Sequence, residues 1–99
     1  MRRKVLFRRQ ASLDLAHAIE WYESKRKGLG SQFLLAVEAA LGSISAEPER
    51  FPIGHENIRK SRIKRFPYSV YFTFDAEIVR IIAVFHARRN PRALLGPNE

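Results

Sequence analysis

Three basic residues alternate along a segment in the second half of the chain, and a histidine follows in a later, apolar segment. Lys60, Arg62 and Lys64 are spaced two residues apart, so on a β-strand their side chains would share one face. His86 carries an imidazole that exchanges a proton near neutral pH, which makes it a candidate acid or base. Together these residues predict a surface that handles anions. Basic residues also keep edge strands solvated, and a histidine at a strand end can simply bond a backbone carbonyl.

Two-residue periodicity predicts the strands that would position these side chains. Segments Ile58–Arg65, Tyr68–Phe74 and Ile78–His86 have the composition of strands, and residues 75–77 fit a hairpin turn. The last segment is apolar on nearly both faces, so we expect it in the middle of a sheet. Strict alternation would leave one side of that sheet as a shallow polar surface made of Lys60, Arg62, Lys64, Ser69, Tyr71, Thr73, Arg80 and His86.

The first half of the chain predicts one strand and two helices. Lys4–Arg8 is rich in β-branched and aromatic side chains, which favours a strand. Apolar residues then recur at helical spacing over residues 11–27 and 33–44, with Ser12 as a candidate N-cap. Residues 28–31 are a short connection, so the helices form a hairpin.

This order of elements, β-α-α-β-β-β, predicts an α+β fold in which a helical hairpin packs on one face of an antiparallel sheet. The apolar side of the last strand would meet the helices and comprises Val79, Ile81, Ala83 and Phe85. A chain of 99 residues supports one core, so residues 1–99 are predicted to form a single domain.

Composition excludes several kinds of site. The chain has no cysteine, which excludes disulfides and thiolate chemistry, and its three histidines are too scattered to suggest a metal cluster, so we expect no metal and no cofactor. The longest apolar stretches considered, such as residues 78–85, fall short of the roughly 20 residues that a membrane span needs. The basic N-terminus lacks the apolar region of a secretory signal, so we expect a cytoplasmic protein without a membrane partner.

The net charge of +8 is unevenly distributed. Residues 1–13 carry five basic and no acidic residues, residues 14–56 carry four basic and seven acidic, and residues 57–99 carry nine basic and three acidic. A segregated positive field speeds encounter with a polyanion or an acidic protein, without identifying which one. It also keeps a small domain soluble.

Short motifs follow one another along nearly the whole chain: Asp14-Leu15, Trp21-Tyr22-Glu23, Gly28-Leu29-Gly30 with Phe33, Pro48 with Phe51-Pro52, Arg65-Phe66-Pro67-Tyr68, and Ala83-Val84-Phe85-His86 with Arg88-Arg89-Asn90-Pro91. In this order and spacing the chain resembles the ParE/RelE toxin superfamily, whose layout is also β-α-α-β-β-β. The resemblance implies the toxin of a type II toxin–antitoxin system, a class that includes plasmid stabilisation systems. Such a toxin arrests growth unless a cognate antitoxin, encoded beside it, wraps and neutralises it in a hetero-oligomer.

The resemblance implies two possible activities, because two branches share the fold. RelE-like members cut messenger RNA in the ribosomal A site and act as metal-independent endoribonucleases. ParE-like members bind and poison DNA gyrase. A nuclease would use Lys60, Arg62, His86 and Arg89 as its acid, base and charge-stabilising groups. A third possibility is a relative without toxicity that only binds the antitoxin.

Two departures favour the ParE-like branch. Ser69 occupies the position where RelE-like enzymes carry an arginine. The position of their C-terminal tyrosine lies near Leu94 or Leu95, so this chain lacks that tyrosine too. Losing one preorganised charge-stabilising donor costs about 3 kcal/mol of transition-state stabilisation, and here two are missing. The motifs Phe66-Pro67-Tyr68 and Trp21-Tyr22-Glu23 are also more typical of ParE-like toxins. We therefore favour a toxin that binds gyrase over an enzyme.

The predicted contacts of such a toxin fall into two sets. The target-binding set comprises Lys60, Arg62, Lys64, Tyr71, Arg80, His86, Arg88 and Arg89. The antitoxin-binding set on the helical hairpin comprises Leu15, Ile19, Tyr22, Phe33, Val37 and Leu41. We expect the antitoxin to carry an acidic, amphipathic C-terminal tail that folds on binding. Trp21 and Tyr22 are expected to pack within the hairpin, and Tyr71 to stack on a base or pack across strands.

Overall fold

The helices and strands occur in the predicted order, with one short strand added. The computed structural model describes residues 2–95, so the ends of the predicted domain 1–99, Met1 and residues 96–99, lie outside the described residues. The elements are β1 (Lys4–Phe7), α1 (Arg9–Lys25), α2 (Leu29–Ala46), β2 (Ile53–His55), β3 (Ile58–Arg62), β4 (Tyr68–Phe74) and β5 (Ile78–His86), with 3₁₀ turns at Pro48–Arg50 and Pro91–Leu95. Helices packed on one sheet confirm the predicted fold class.

Helix α1 follows β1 with a single residue between them. Arg8 keeps extended backbone angles (φ −65°, ψ 147°), and its carbonyl accepts a hydrogen bond from the Ser12 N–H at 3.1 Å. The prediction that Ser12 is the N-cap is therefore wrong, because the helix already begins at Arg9. Asp14 consequently lies in the second turn, where its carboxylate is available for contacts outside the helix.

The turn between the helices depends on one carboxylate and two glycines. Glu23 of α1 accepts hydrogen bonds from the backbone N–H groups of Gly28 and Gly30, both at 2.9 Å. Gly28 has φ +89°, a left-handed conformation that glycine adopts without a Cβ penalty. A Cβ on Gly30 would lie 2.8 Å from the Ile19 carbonyl oxygen. The motifs Trp21-Tyr22-Glu23 and Gly28-Leu29-Gly30 therefore form one structural unit.

The five strands form a mixed sheet in the order β1-β5-β4-β3-β2. β3, β4 and β5 pair antiparallel, as predicted, and the added strand β2 pairs antiparallel with β3. β1 instead pairs parallel with β5, with Phe7 opposite Ile81 at its end. The prediction of a fully antiparallel sheet is therefore wrong for β1. This strand lies beside β5, the last strand, and no hairpin turn joins the two and forces them to run antiparallel. β3 ends at Arg62, so Lys64 lies in the turn before β4 rather than on the strand.

A β-bulge in β5 changes which side chains face the helices. Tyr71 pairs with Ala83 but the next residue, Phe72, pairs with Ile81, so Ile82 is an extra residue in β5. A bulge reverses the side on which every later side chain lies. The prediction that side chains of β5 alternate strictly between the two faces is therefore wrong beyond Ile81.

The result is an apolar cluster on each side of the sheet. The helix-side cluster joins residues of both helices to the sheet and includes Ala18, Tyr22, Phe33, Val37, Ile44, Val70, Phe72, Val79, Ile81 and Val84. The outer cluster comprises Ile58, Tyr71, Ala83, Phe85 and Leu94. The polar surface predicted on the outer side is thus only partly correct, since Leu94 of the C-terminal 3₁₀ turn covers an apolar centre.

Within residues 2–95, α2 is the one helix long and apolar enough to cross a membrane by length and composition. Helices in protein cores pass the same test. Here Phe33, Val37 and Ile44 are fully buried in the helix-side cluster, and α2 packs against α1. We therefore describe α2 as a core helix.

Candidate functional site

Lys60 and Arg62 lie on the outer face of the sheet, as the alternation predicts. Lys60 pairs with Tyr71 and Arg62 with Ser69, so the four side chains share one face. Arg62 is exposed and Lys60 is half-buried, whereas Ser69 and Tyr71 are buried. The two cations therefore stand beside an apolar centre rather than within a wholly polar surface.

Tyr71 is 5% exposed and packs in the outer cluster. Its ring centroid lies 5.6 Å from that of Phe85 on the neighbouring strand. Burial raises the pKa of the Tyr71 hydroxyl, which keeps it neutral at physiological pH. Of the two roles predicted for this residue, cross-strand packing is the one the structure shows.

The remaining predicted basic residues lie towards the two ends of β5 and in the turn after β3. Arg80 Nη1 lies 3.3 Å from Asp75 Oδ2 at one end of β5. At the other end, Arg88 and Arg89 are exposed, and Arg89 Cζ lies 4.4 Å from the ring centroid of Phe85. Lys64 is exposed in the turn after β3. Arg80 is therefore already paired, whereas Lys64, Arg88 and Arg89 are exposed cations outside the strands, and Arg89 also lines the cleft described next.

His86 lies on the helix side of the sheet, opposite to Lys60 and Arg62. It pairs with Tyr68 of the helix-side cluster, and their ring centroids are 5.2 Å apart. The imidazole lines a cleft of about 490 Å³ between α1 and the end of β5, together with His17 and Trp21. Its Nδ1 accepts a hydrogen bond from the Arg88 N–H at 3.1 Å. Burial, and then the negative charge of Asp14, raise the pKa of the Tyr68 hydroxyl beside it.

The four candidate nuclease residues are therefore divided between the two sides of the sheet. Lys60 and Arg62 share the outer face, and His86 is separated from them because the extra residue Ile82 reverses the alternation of β5. Arg89 stacks on the outer-cluster residue Phe85, and it also lines the cleft that contains His86. A sequence in which both faces of a strand are apolar gives no signal of such a bulge.

The predicted antitoxin contacts are mostly turned inward. Tyr22 is 8% exposed, and Phe33 and Val37 are fully buried, so a partner cannot touch their side chains in this conformation. The other three, Leu15, Ile19 and Leu41, are half-buried and pack against the same cluster. The apolar stripe that identifies each helix is the side that packs on the domain's own core.

The exposed apolar side chains of the helices lie elsewhere. Leu35 on α2 is 65% exposed, Trp21 on α1 is 54% exposed and Leu13 on α1 is 42% exposed. The Trp21 ring packs edge-on against Tyr22 and lies under the Lys25 ammonium. The predicted packing within the hairpin is therefore seen in part, because half of the side chain remains exposed. Leu35 is not among the contacts predicted from the sequence, although its position outside the apolar stripe of α2 indicates an exposed side chain.

A groove on the outer side of α2 was also not anticipated. It has a volume of about 630 Å³ and lies between α2 and the turn that joins β3 to β4. Its lining includes Leu35, Phe51 and Phe66 as well as basic residues of the turn. Among residues 2–95, no group of three or more His, Cys, Asp or Glu side chains has the arrangement of a metal site.

Comparison with known proteins agrees with this architecture. A toxin–antitoxin complex, RelBE2 from Mycobacterium tuberculosis, contains a chain similar to this one with a TM-score of 0.62 and 28% identity, over 87% of this chain and 99% of that chain. A chain from the chromosomal ParDE toxin–antitoxin system of P. aeruginosa is similar with a TM-score of 0.74 and 14% identity, over 85% of this chain and 95% of that one. No protein of curated function has a significantly similar sequence.

The sequence pattern of one family extends over most of the elements described above. The family described as "ParE toxin of type II toxin-antitoxin system, parDE" matches residues 5–91, from β1 to the start of the C-terminal 3₁₀ turn. The predicted superfamily is thereby confirmed, and the chain belongs to the ParE toxin family of type II toxin–antitoxin systems.

Proposed function

We propose that this toxin arrests growth by binding a large protein target, DNA gyrase, and that a cognate antitoxin with an acidic C-terminal tail holds it inactive in a hetero-oligomer. Both interactions would take place in the cytoplasm. The observation that carries the proposal is the position of His86, across the sheet from Lys60 and Arg62.

That separation argues against RNA cleavage by the predicted residues. Cleavage without a metal needs an acid, a base and charge-stabilising cations around one phosphate, with each donor about 3 Å from the atom that it serves. His86 is packed against Tyr68 on the helix side, and its Nδ1 is engaged by the backbone of Arg88. A phosphate on the outer face would meet Lys60 and Arg62 without this imidazole.

Binding a protein makes no such demand on geometry. A patch that combines apolar groups with flanking cations is a suitable docking surface, because the apolar centre supplies burial and the charges guide encounter. The outer face has this composition: Phe85 and the covering Leu94 lie in its apolar cluster, Lys60 and Arg62 lie on the same face, and Arg89 stacks on Phe85 at the edge next to the His86 cleft.

A ribosome-dependent endonuclease is the second candidate. It is favoured by the two cations on the outer face, Lys60 and Arg62, and by the similarity to the RelBE2 complex. A nuclease of this kind would have to take its acid and base from groups other than His86.

One experiment separates these functions. The toxin is induced without antitoxin, and DNA and transcripts from the same cells are examined. We expect an SOS response and gyrase-linked DNA breaks, with transcripts intact, and we expect purified toxin to trap broken plasmid DNA when gyrase is added. Transcript cuts at the ribosomal A site with unbroken DNA would favour the endonuclease, and normal growth would favour a relative without toxicity.

A further inference from the structure

Four exposed cations lie at the end of the sheet where β3 turns into β4 and where β5 stops. Lys64 and Arg65 belong to the β3–β4 turn, and Arg88 and Arg89 follow β5. These four residues are named here the basic end. Arg62, the last residue of β3, connects the basic end to the outer face of the sheet.

Strand pairing brings the two halves of the basic end together. Tyr68, the first residue of β4, pairs with His86, the last residue of β5. Just beyond this pair, the Ala87 N–H donates a hydrogen bond to the Pro67 carbonyl, at 2.7 Å. The cations of the turn and those that follow β5 are therefore neighbours in space, although they lie far apart in the sequence.

The segments that carry the basic end contain no acidic residue. Neither residues 57–74 nor residues 78–95 include an Asp or a Glu. In the part of the chain that the structure describes, no ion pair involves any of the four cations. Asp14 lines the same cleft as Arg89, but its carboxylate already accepts a hydrogen bond from the Val84 N–H. The basic end is therefore a positive surface that the protein leaves largely uncompensated.

Arg65 is held in an unusual backbone conformation. Its φ is +75°, in the left-handed region that residues with a Cβ rarely adopt. Glycine would occupy this position without a steric penalty. Strain of this kind collects at functional sites, and here it accompanies an exposed cation.

The side chains of the basic end suit phosphate groups. Three of the four are arginines, whose planar guanidinium matches the oxygens of a phosphate. The aromatic residues of this end, Phe66 and Tyr68, are half-buried against the helix-side cluster. Trp21 is more exposed, but the Lys25 ammonium lies over its ring. Cations without an open stacking ring favour the backbone of a duplex over the unpaired bases of a single strand.

We propose that the basic end contacts the sugar-phosphate backbone of double-stranded DNA while the toxin is bound to gyrase. This inference rests on the proposed function, because gyrase acts on DNA and would bring the toxin next to it. The partner of Lys64, Arg88 and Arg89 becomes the DNA rather than the protein, and Arg65 joins them. Contacts of this kind position a protein on a duplex without reading its base sequence.

Binding to DNA alone gives the first test. Purified toxin is titrated onto a fluorescein-labelled duplex of mixed sequence, and the Kd is measured by fluorescence anisotropy between about 50 and 200 mM NaCl. Four phosphate contacts predict that the logarithm of the association constant falls against the logarithm of the salt concentration with a slope of about −3.6, at roughly 0.9 per contact. Tighter binding to single-stranded RNA of the same length than to the duplex would overturn the inference.

Charge variants locate the contact on the molecule. Arg65→Gln with Arg89→Gln should raise the Kd for the duplex at least about tenfold and make the salt dependence shallower by roughly 1.8. Lys4→Gln with Arg9→Gln removes the same charge from two exposed residues near the N-terminus and is the control. Equal losses for the two double variants would show that only net charge matters, and would overturn the inference.

Arg65→Gly separates binding from folding. Glycine relieves the positive φ, so the Tm should stay unchanged or rise while binding to the duplex weakens. Weaker binding together with a lower Tm would indicate a structural role for Arg65 and would contradict its place in the DNA contact.

A crosslink tests the contact within the gyrase complex. The chain has no cysteine, so Ala87→Cys beside the basic end and Leu13→Cys on α1, as control, each provide a single exposed thiol. Each variant is alkylated with azidophenacyl bromide, mixed with gyrase and plasmid DNA, and irradiated. We expect the label at position 87 to attach to DNA and the label at position 13 not to do so.

The outcomes distinguish this inference from the proposed function. Attachment of position 87 to gyrase polypeptide alone would overturn the DNA contact and leave gyrase as the target. If the wild-type toxin does not bind gyrase, the proposed target fails, whereas the duplex titration still decides whether the basic end binds DNA.

Discussion

The carboxylate of Asp14 on α1 accepts a hydrogen bond from the backbone N–H of Val84 on β5, at 3.1 Å. β1 ends opposite Ile81, so beyond that point β5 has no strand beside it on that side. A buried N–H without a partner costs free energy, and Asp14 supplies the acceptor that a longer β1 would have provided. The helix thereby fixes the part of β5 that carries His86.

Removing this acceptor should destabilise the domain. We expect Asp14→Ala to lower the free energy of unfolding by about 1–3 kcal/mol, because the Val84 N–H is left unsatisfied. In a domain of this size each kcal/mol corresponds to a fall in Tm of roughly 4–8 °C. Asp14→Asn keeps an acceptor and should cost less. Gln10→Ala, which removes only a surface donor to Asp14, is the control, and a similar loss for it and Asp14→Ala would refute this role.

The two glycines within α2 should respond to alanine with opposite signs. A Cβ at Gly30 would lie 2.8 Å from the Ile19 carbonyl oxygen and 2.9 Å from Glu23 Oε1, so Gly30→Ala should destabilise by about 1–3 kcal/mol. At Gly42 the nearest atom is Arg2 Nη1 at 3.7 Å, an ordinary contact. Gly42→Ala should therefore stabilise the helix by about 0.5–1 kcal/mol. Urea denaturation of both variants measures the difference, and equal effects would contradict the turn geometry.

The cations of the outer face should determine affinity for the target. We expect Lys60→Glu with Arg62→Glu to weaken binding to purified gyrase about tenfold and to reduce growth arrest, because attraction becomes repulsion at two sites. Arg9→Glu makes the same kind of charge change on α1 and should bind as the wild type does. If the control weakens binding as much as the double variant, only net charge matters, and the outer face is not the docking surface.

Asp75 should contribute to stability in a pH-dependent way. Its Oδ1 accepts hydrogen bonds from the N–H groups of Glu77 and Ile78, at 2.9 and 2.8 Å. These bonds, and then the Arg80 guanidinium, hold the pKa of Asp75 below its ordinary value of 3.8. A lowered folded-state pKa stabilises the fold above the unfolded-state pKa, and this stabilisation is lost as the pH falls through the folded-state value.

We therefore expect Asp75→Asn to flatten the loss of stability below about pH 4, because the variant has no proton to bind at this position. Chemical denaturation at a series of acidic pH values measures the slope for both proteins. At neutral pH the variant should be the less stable of the two, because asparagine still accepts from the turn but has no negative charge, and the difference should shrink as the pH falls. A slope identical to that of the wild type would show that Asp75 makes no net contribution to the acid response.

The sequence by itself determined the family and every helix and strand except β2. Helical spacing placed α1 and α2, alternation placed β4 at its observed bounds, and motifs from Asp14 to Pro91 indicated the toxin family. These features are local, because each depends on a periodicity or a turn residue within a few positions. The roles of Asp14 and Glu23 could not be predicted in this way, since their backbone partners come from elements that meet only in the folded chain.

Only the tertiary structure decided which surface each candidate residue occupies. β5 is apolar on nearly both faces, so its sequence carries no signal of where the alternation reverses, and the bulge at Ile82 places His86 on the side of α1. The helix sequences are limited in the same way. An apolar stripe identifies the side of a helix that is buried, but it does not show which of the other side chains form a surface for a partner. The groove on the outer side of α2 exists because Leu35 lies off that stripe and the β3–β4 turn, distant in sequence, places Lys64 and Arg65 beside it.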